Sequence, residues 1–194
     1  MPMSGCHRNW HACRMRAVTA VEREILDRLL TVDFPGAEAL RIQAGTVREV
    51  EPNCTCGCPS ITPHVDRTAA PPARSSSPLP VELAEMDRPA GVPRTVLCFL
   101  DEQGYLSNLE CVYYDDPLPE WPAPKDCAVL VRDDERYLAA VSLPGGATVR
   151  PHEAGDRWVS FEEGQDGGFC ASTWSGFREC FGRDGTEISR VFTK

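Results

Sequence analysis

The chain has 194 residues, enough for one domain or two small ones, and its 42% hydrophobic content builds an ordinary core. A net charge of −9 repels phosphate backbones and anionic lipid, which sets aside nucleic acid and membrane surfaces and favours a basic protein as partner. No apolar stretch reaches the ~18 residues of a membrane span or the ~7 of a signal-peptide core, so a cytoplasmic protein with reduced thiols is expected.

Residues 1–16 carry Arg8, Arg14 and Arg16 and no acid, and show neither helical nor strand period. They read as a disordered basic start, although Cys6, His7, His11 and Cys13 fall close enough together to leave a metal site open. Residues 17–116 hold 8 basic and 16 acidic side chains and read as an α+β domain. Thr19-x-x-Glu22 is a capping box that starts a helix, whose stripe is Val21, Ile25 and Leu29 with Leu26 and Leu30. Phe34-Pro35-Gly36 breaks the chain, and Ala37 to Ala44 reads as a second helix closed by Gly45.

The period then changes to two. Thr46 to Glu51 and Ser60 to Val65 read as strands flanking Asn53-Cys54-Thr55-Cys56-Gly57-Cys58-Pro59. Residues 67–80, rich in Pro, Ala and Ser, bury too little apolar surface to order themselves and read as a flexible loop. Val81 to Ala84 is a short strand. Thr95 to Asp101 and Tyr105 to Tyr114 form a hairpin around Glu-Gln-Gly, with Val96, Cys98, Leu100, Leu106 and Leu109 on the core face. Residues 117–125 hold four prolines around Trp121 and read as an extended strap pinned by the indole, with a proline-rich ligand as the alternative. In residues 126–194 turn signals separate Ala128–Arg132, Tyr137–Leu143, Arg157–Glu162, Phe169–Trp174 and Ile188–Phe192. That is an antiparallel meander, extending the first sheet or forming a small second domain. The fold class predicted is α+β: two N-terminal helices packed on an antiparallel sheet, followed by a β-rich C-terminal meander.

The blocks Val21-Glu-Arg-Glu-Ile-Leu-Asp-Arg-Leu-Leu30, Asp33-Phe-Pro-Gly-Ala-Glu-Ala-Leu40, Cys56-Gly-Cys-Pro-Ser60 and Gly104-Tyr-Leu-Ser-Asn-Leu-Glu110, followed by Tyr113 and the Pro/Trp strap, occur in that order. Over about residues 17–125 the chain resembles a family of small uncharacterised bacterial proteins. The resemblance implies no activity, substrate or catalytic residue.

Three cysteines within five residues are the densest chemical signal. In an extended strand, alternate residues lie about 6.5–7 Å apart. Two thiolates on one tetrahedral zinc must come to ~3.8 Å. The chain must therefore bend, and Gly57 and Pro59 permit it. Cys54, Cys56 and Cys58 then supply three zinc ligands and His64 the fourth, with Cys98 or Cys111 as alternatives, in a closed structural site. The remaining readings are ordinary turn cysteines and thiol redox chemistry. Cys98, Cys111, Cys127, Cys170 and Cys180 read as small buried hydrophobes. No phosphate loop, dinucleotide fingerprint, serine-hydrolase elbow or zinc-protease motif occurs. His64 and His152 are the remaining neutral-pH bases, and Asp115-Asp116 and Glu162-Glu163 are solvated turns before they are acid/base pairs. The function expected is a non-catalytic cytosolic interaction or accessory protein with an acidic surface. The alternative is a small zinc-stabilised or thiol-dependent enzyme using the Cys54–Cys58 run.

Overall fold

The computed structural model describes residues 15–53, 56–86, 94–113, 119–133, 137–164 and 168–193. Cys6, His7, His11, Cys13, Cys54 and the Asp115-Asp116 pair lie outside them. Two helices, α1 (Ala20–Leu29) and α2 (Ala37–Thr46), follow a two-residue strand β1 (Arg16–Ala17). The next strands are β2 (Glu49–Pro52), β3 (Ile61–Pro63), β4 (Val81–Glu85), β5 (Thr95–Leu100) and β6 (Leu106–Val112). A 3₁₀ turn, Pro124–Asp126, leads into β7 (Cys127–Arg132), β8 (Leu138–Ser142), β9 (Thr148–Val149) and β10 (Trp158–Glu163). The chain closes with β11 (Phe169–Thr173), β12 (Phe177–Phe181) and β13 (Glu187–Phe192). The architecture is α+β with helices first and sheet dominant, and among the described residues no helix is long and apolar enough to cross a membrane.

All the pairing is antiparallel, in the order β1-β2-β3-β6-β5-β4-β7-β8-β10-β11-β12-β13, with β9 on β8. β4 lies between β5 and β7 and pairs with β7 over five residues, from Val81–Val131 to Glu85–Cys127. Residues 126–194 therefore extend the first sheet. The two sheet halves bury different cores. On the helix side, Ile25, Leu26, Leu29 and Leu40 pack with Val96, Cys98 and Leu109. Around the later strands, Trp158, Phe169 and Phe181 pack with Leu138 and Val141. Alternate residues of β4 and β7 serve both: Leu83 and Val129 face the first core, Ala84 and Leu130 the second.

The capping box is present, with Thr19 Oγ1 accepting from Glu22 N–H and Glu22 Oε2 accepting from Thr19 N–H. The buried face of α1 is Glu22, Ile25, Leu26 and Leu29, and Val21, expected on that stripe, is exposed. α2 runs two residues past the expected last residue Ala44, through Gly45 to Thr46. The Arg23 guanidinium donates to Ala44 O, which also accepts from Val47 N–H, and to Val47 O just past the helix end.

The segment 67–80 is tied down at several points instead of standing free. Ala70, Ala73 and Leu79 are buried, Leu79 N–H donates to Cys98 O, and Ser77 Oγ bonds Leu100 N and O. The buried Gln43 side chain donates to Pro71 O (2.8 Å) and Gly104 O (3.0 Å), and its Oε1 accepts from Leu106 N–H (2.9 Å). One amide on α2 thus fastens this loop and the β5–β6 turn together. Composition underrated the segment because backbone and side-chain hydrogen bonds, and not apolar area, hold it.

β12 had no counterpart among the predicted strands. Its Glu179 points inward, fully buried, and accepts from the indole N–H of Trp158 at 2.8 Å. Arg190 Nε stands 3.3 Å from the same carboxylate as an ion pair without hydrogen-bond alignment. Phe169 stacks on Phe181 with centroids 5.0 Å apart, edge-on to Trp158.

Gly104 combines φ of +86° with a Cβ direction that would lie 2.3 Å from Ala73 O. Gly104→Ala is expected to destabilise the protein by about 2–4 kcal/mol, from left-handed strain plus the displaced loop. Chemical denaturation measures this, and an unchanged midpoint would show that the 67–80 segment does not seat on the hairpin turn.

Candidate functional site

Polar and apolar side chains converge where β1, the start of α1, the β2–β3 hairpin and Pro119–Trp121 meet. A cleft of about 530 Å³ opens there, lined by Arg16, Val21, Glu22, Cys58, Pro119 and Trp121 among others. Glu22 is its hub. Beyond the cap bond, its carboxylate accepts from Arg16 Nη1 (2.9 Å), Arg16 Nη2 (2.5 Å) and Trp121 Nε1 (3.4 Å). Burial alone would raise this carboxyl, but the bonds from Arg16 and Thr19 outweigh it and hold the group at about 2. Arg16 is raised in turn, chiefly by its bond to Glu22. Trp121 packs against the first core, so the strap is pinned by its indole. This carboxylate is fixed and ionised, a structural anchor with no proton to give near neutral pH.

Cys56 and Cys58 follow β2 and precede β3 at the tip of their hairpin, which Asn53 N–H closes onto Ser60 O at 3.0 Å. Gly57 takes φ of +90°, the bend that the spacing of the thiols requires. Cys56 is exposed and Cys58 half-buried. Cys58 N–H donates to Cys56 Sγ at 3.4 Å, and Cys56 Sγ lies 3.8 Å from Tyr113 Oη. Desolvation, then the bonds to Cys58 and Cys56, push the Tyr113 hydroxyl above its ordinary value. Cys111, whose N–H donates to Ser60 Oγ, borders the same tip. His64 stands elsewhere. It follows β3 at the far end of the hairpin from the tip, about 10 Å beyond Ile61 at strand rise. Its N–H donates to Glu49 O, and Nε2 is 4.0 Å from Glu51. The hairpin thus brings Cys56 and Cys58 together and leaves His64 beside a carboxylate. Among the described residues no group of three or more His, Cys, Asp or Glu is arranged to hold a metal ion.

The other thiols divide sharply. Burial pushes Cys98 up to about 12, Cys111 to about 11 and Cys127 to about 12, so all three stay protonated and inert at neutral pH. Cys170 and Cys180, expected as buried hydrophobes, are instead half-exposed and joined in a disulfide. Their strands place them directly opposite each other, which spacing alone did not reveal because β12 was not recognised as a strand. His152 Nδ1 lies 3.6 Å from Glu187 at the surface, and Glu162 forms a surface ion pair with Arg178 at 2.7 Å.

A second surface escaped the sequence reading. β13 is last in the strand order, and among the described residues nothing pairs with its outer edge. Ile188 is 69% exposed, Val191 57% and Phe192 55%. Trp174, 67% exposed, stands at the β11–β12 turn, edge-on to Tyr137. The signal was available in Ile188-Ser-Arg-Val-Phe192, a strand-forming run whose apolar residues point to both faces. No family model, curated protein or solved structure matches the chain.

Glu22→Gln is expected to cost roughly 1–3 kcal/mol, reduced from a full buried-pair loss because Arg16 is partly exposed. The folded carboxyl lies below its ordinary 4.5, so its contribution is complete above about pH 5 and fades as pH falls toward 2. Urea midpoints from pH 3 to 7 measure both effects: the variant flattens the acid slope, and an identical slope would deny Glu22 its role. Alkylation at pH 7.5 provides a second test. Cys56 is expected to label at least ~100-fold faster than Cys98, Cys111 and Cys127. Equal rates by mass spectrometry would mean that the core thiols are reachable.

Proposed function

We propose that this is a non-catalytic interaction protein that receives an extended segment of a basic partner on its C-terminal edge strand. The single observation that carries the reading is β13, with a free outer edge among the described residues and Ile188, Val191 and Phe192 exposed beside it. Strand addition gives such an edge main-chain hydrogen bonds, and pockets for alternate side chains give specificity. The net charge of −9 supports a cationic partner and a salt-sensitive association. The polar groups of the Glu22 cleft support the same reading, because Glu22, Arg16 and Trp121 satisfy one another. A cytoplasmic setting is part of this proposal and is supported by the unbridged Cys56, Cys98, Cys111 and Cys127, while the Cys170–Cys180 disulfide, unexpected among reduced thiols, weighs against it.

A structural zinc on the cysteine run is the second reading. The bend at Gly57 and the approach of Cys58 N–H to Cys56 Sγ favour its cysteine half. In that reading Cys54, Cys56 and Cys58 supply three ligands, and Cys111 replaces His64 as the fourth, since it borders the hairpin tip. Elemental analysis of tag-free protein decides it: about one zinc per chain, lost in Cys56→Ser, supports the site, and metal-free protein of unchanged stability rejects it.

For the docking proposal, wild type and Ile188→Lys/Val191→Lys are compared in pull-downs at low and high salt. Wild type is expected to retain one basic protein, released by salt, with capture reduced at least ~10-fold in the variant. Capture that ignores the edge substitutions would overturn the docking surface. No partner, together with rapid modification of Cys56 alone, would favour the thiol-dependent alternative.

A further inference from the structure

We infer that Cys170–Cys180 is a thiol-exchange site, opened and closed in the native fold by a dithiol/disulfide partner of the thioredoxin-like class. The two residues are direct cross-strand partners on β11 and β12, with Cα atoms 4.1 Å apart. They lie on the outer face of the sheet, opposite the side that carries Phe169, Ala171 and Phe181. Both are partly exposed on that face, the side from which an incoming thiolate would approach the bridge.

What holds the strands in register is independent of the bridge. On the inner face Phe169 stacks on Phe181, Trp158 packs edge-on to both, and Glu179 is anchored by the Trp158 indole N–H. The ladder pairs Phe169–Phe181 and Ala171–Glu179 flank the bridge on either side. Reduction therefore leaves two thiols facing each other at high effective concentration, which favours reclosure to the same pair. Among the described residues the competing cysteines are remote or closed: Cys98, Cys111 and Cys127 are buried, and Cys56 and Cys58 sit on the β2–β3 side, in the other half of the sheet.

The chemistry balances with a dithiol. One thiolate attacks a sulfur of the bridge, breaking the Cys170–Cys180 bond and forming a mixed disulfide; the released cysteine sulfur takes up a proton. The partner's second thiol then displaces the remaining cysteine, which is protonated in turn. The protein gains two electrons and two protons, and the dithiol leaves as its disulfide. The reverse sequence recloses the pair. Because β12 carries β13, this bond lies one strand inside the free edge, where opening it loosens the last strands most directly.

The test uses the full chain in buffers of graded reduced and oxidised dithiothreitol, quenched with acid, alkylated and weighed. The expected result is a single two-electron transition that adds two thiols, at Cys170 and Cys180, while tryptophan emission stays native. Removing the reductant restores the same pair in at least ~90% of molecules, including in Cys56→Ser/Cys58→Ser. Hydrogen exchange across β12 and β13 rises on reduction, and exchange in α1 does not change. The inference is overturned if the oxidised protein lacks the bridge, if opening coincides with global unfolding, or if reoxidation joins either residue to another cysteine. Cys170→Ser/Cys180→Ser serves as the fold control, and its failure to fold would equally overturn an opening compatible with the native state.

Discussion

The pairing of β4 with β7 is the constraint on which the rest of the molecule depends. Five consecutive residue pairs join a strand of the helix-covered half to the first strand of the C-terminal half. Both strands are buried on their two faces, so each must satisfy two cores at once. A one-residue slip would exchange Leu83 and Val129 for Ala84 and Ala128 on the helix side, spoiling both cores together. The cost of this position is visible in Glu82, which lies buried in β4 and is held by Arg132 from β7. That pair fixes the register electrostatically where alternation alone, on a strand buried on both sides, would not.

Three buried polar side chains close the remaining junctions. Glu22 gathers β1, the helix cap and the strap. Gln43 gathers the 67–80 segment and the β5–β6 turn. Glu179 gathers β10, β12 and, through Arg190, β13. Each sits where chain segments distant in sequence converge, and each is matched with donors or acceptors, as burial of a polar group demands. The long loops are thus positioned by side-chain hydrogen bonding more than by apolar burial. This accounts for the chain tolerating Pro-rich connections.

Much of this was legible in the sequence where a local rule decided the outcome. The capping box at Thr19, the β5–β6 hairpin and its core residues, and the pinned Trp121 follow from short-range pattern and turn chemistry. The failures share a different cause. Val21 was placed on the buried stripe because apolar residues were given precedence, whereas Glu22, paired with Arg16, takes that position. β12 was overlooked because its inward residue is a glutamate, acceptable only once the Trp158 indole lies beneath it. His64 was matched to the cysteines by sequence interval, and an antiparallel hairpin sends that interval to the opposite end. In every case the deciding partner lay far along the chain, which a local window does not contain.

The strand order also dictates when the protein can fold during its synthesis. β4 pairs on one side with β5, the next strand, and on the other with β7, whose last residue is Arg132. Until that residue has left the ribosome, one edge of β4 has no permanent partner, and the face carrying Ala84 and Met86 still lacks the strands that cover it. The N-terminal helices, complete much earlier, therefore wait on a sheet that closes late. On emerging, Arg132 also provides the charge that neutralises Glu82, so the last residue of β7 both ends that interval and locks the register. Chain growth beyond it adds hairpins outward, one neighbour at a time, onto a nucleus already sealed.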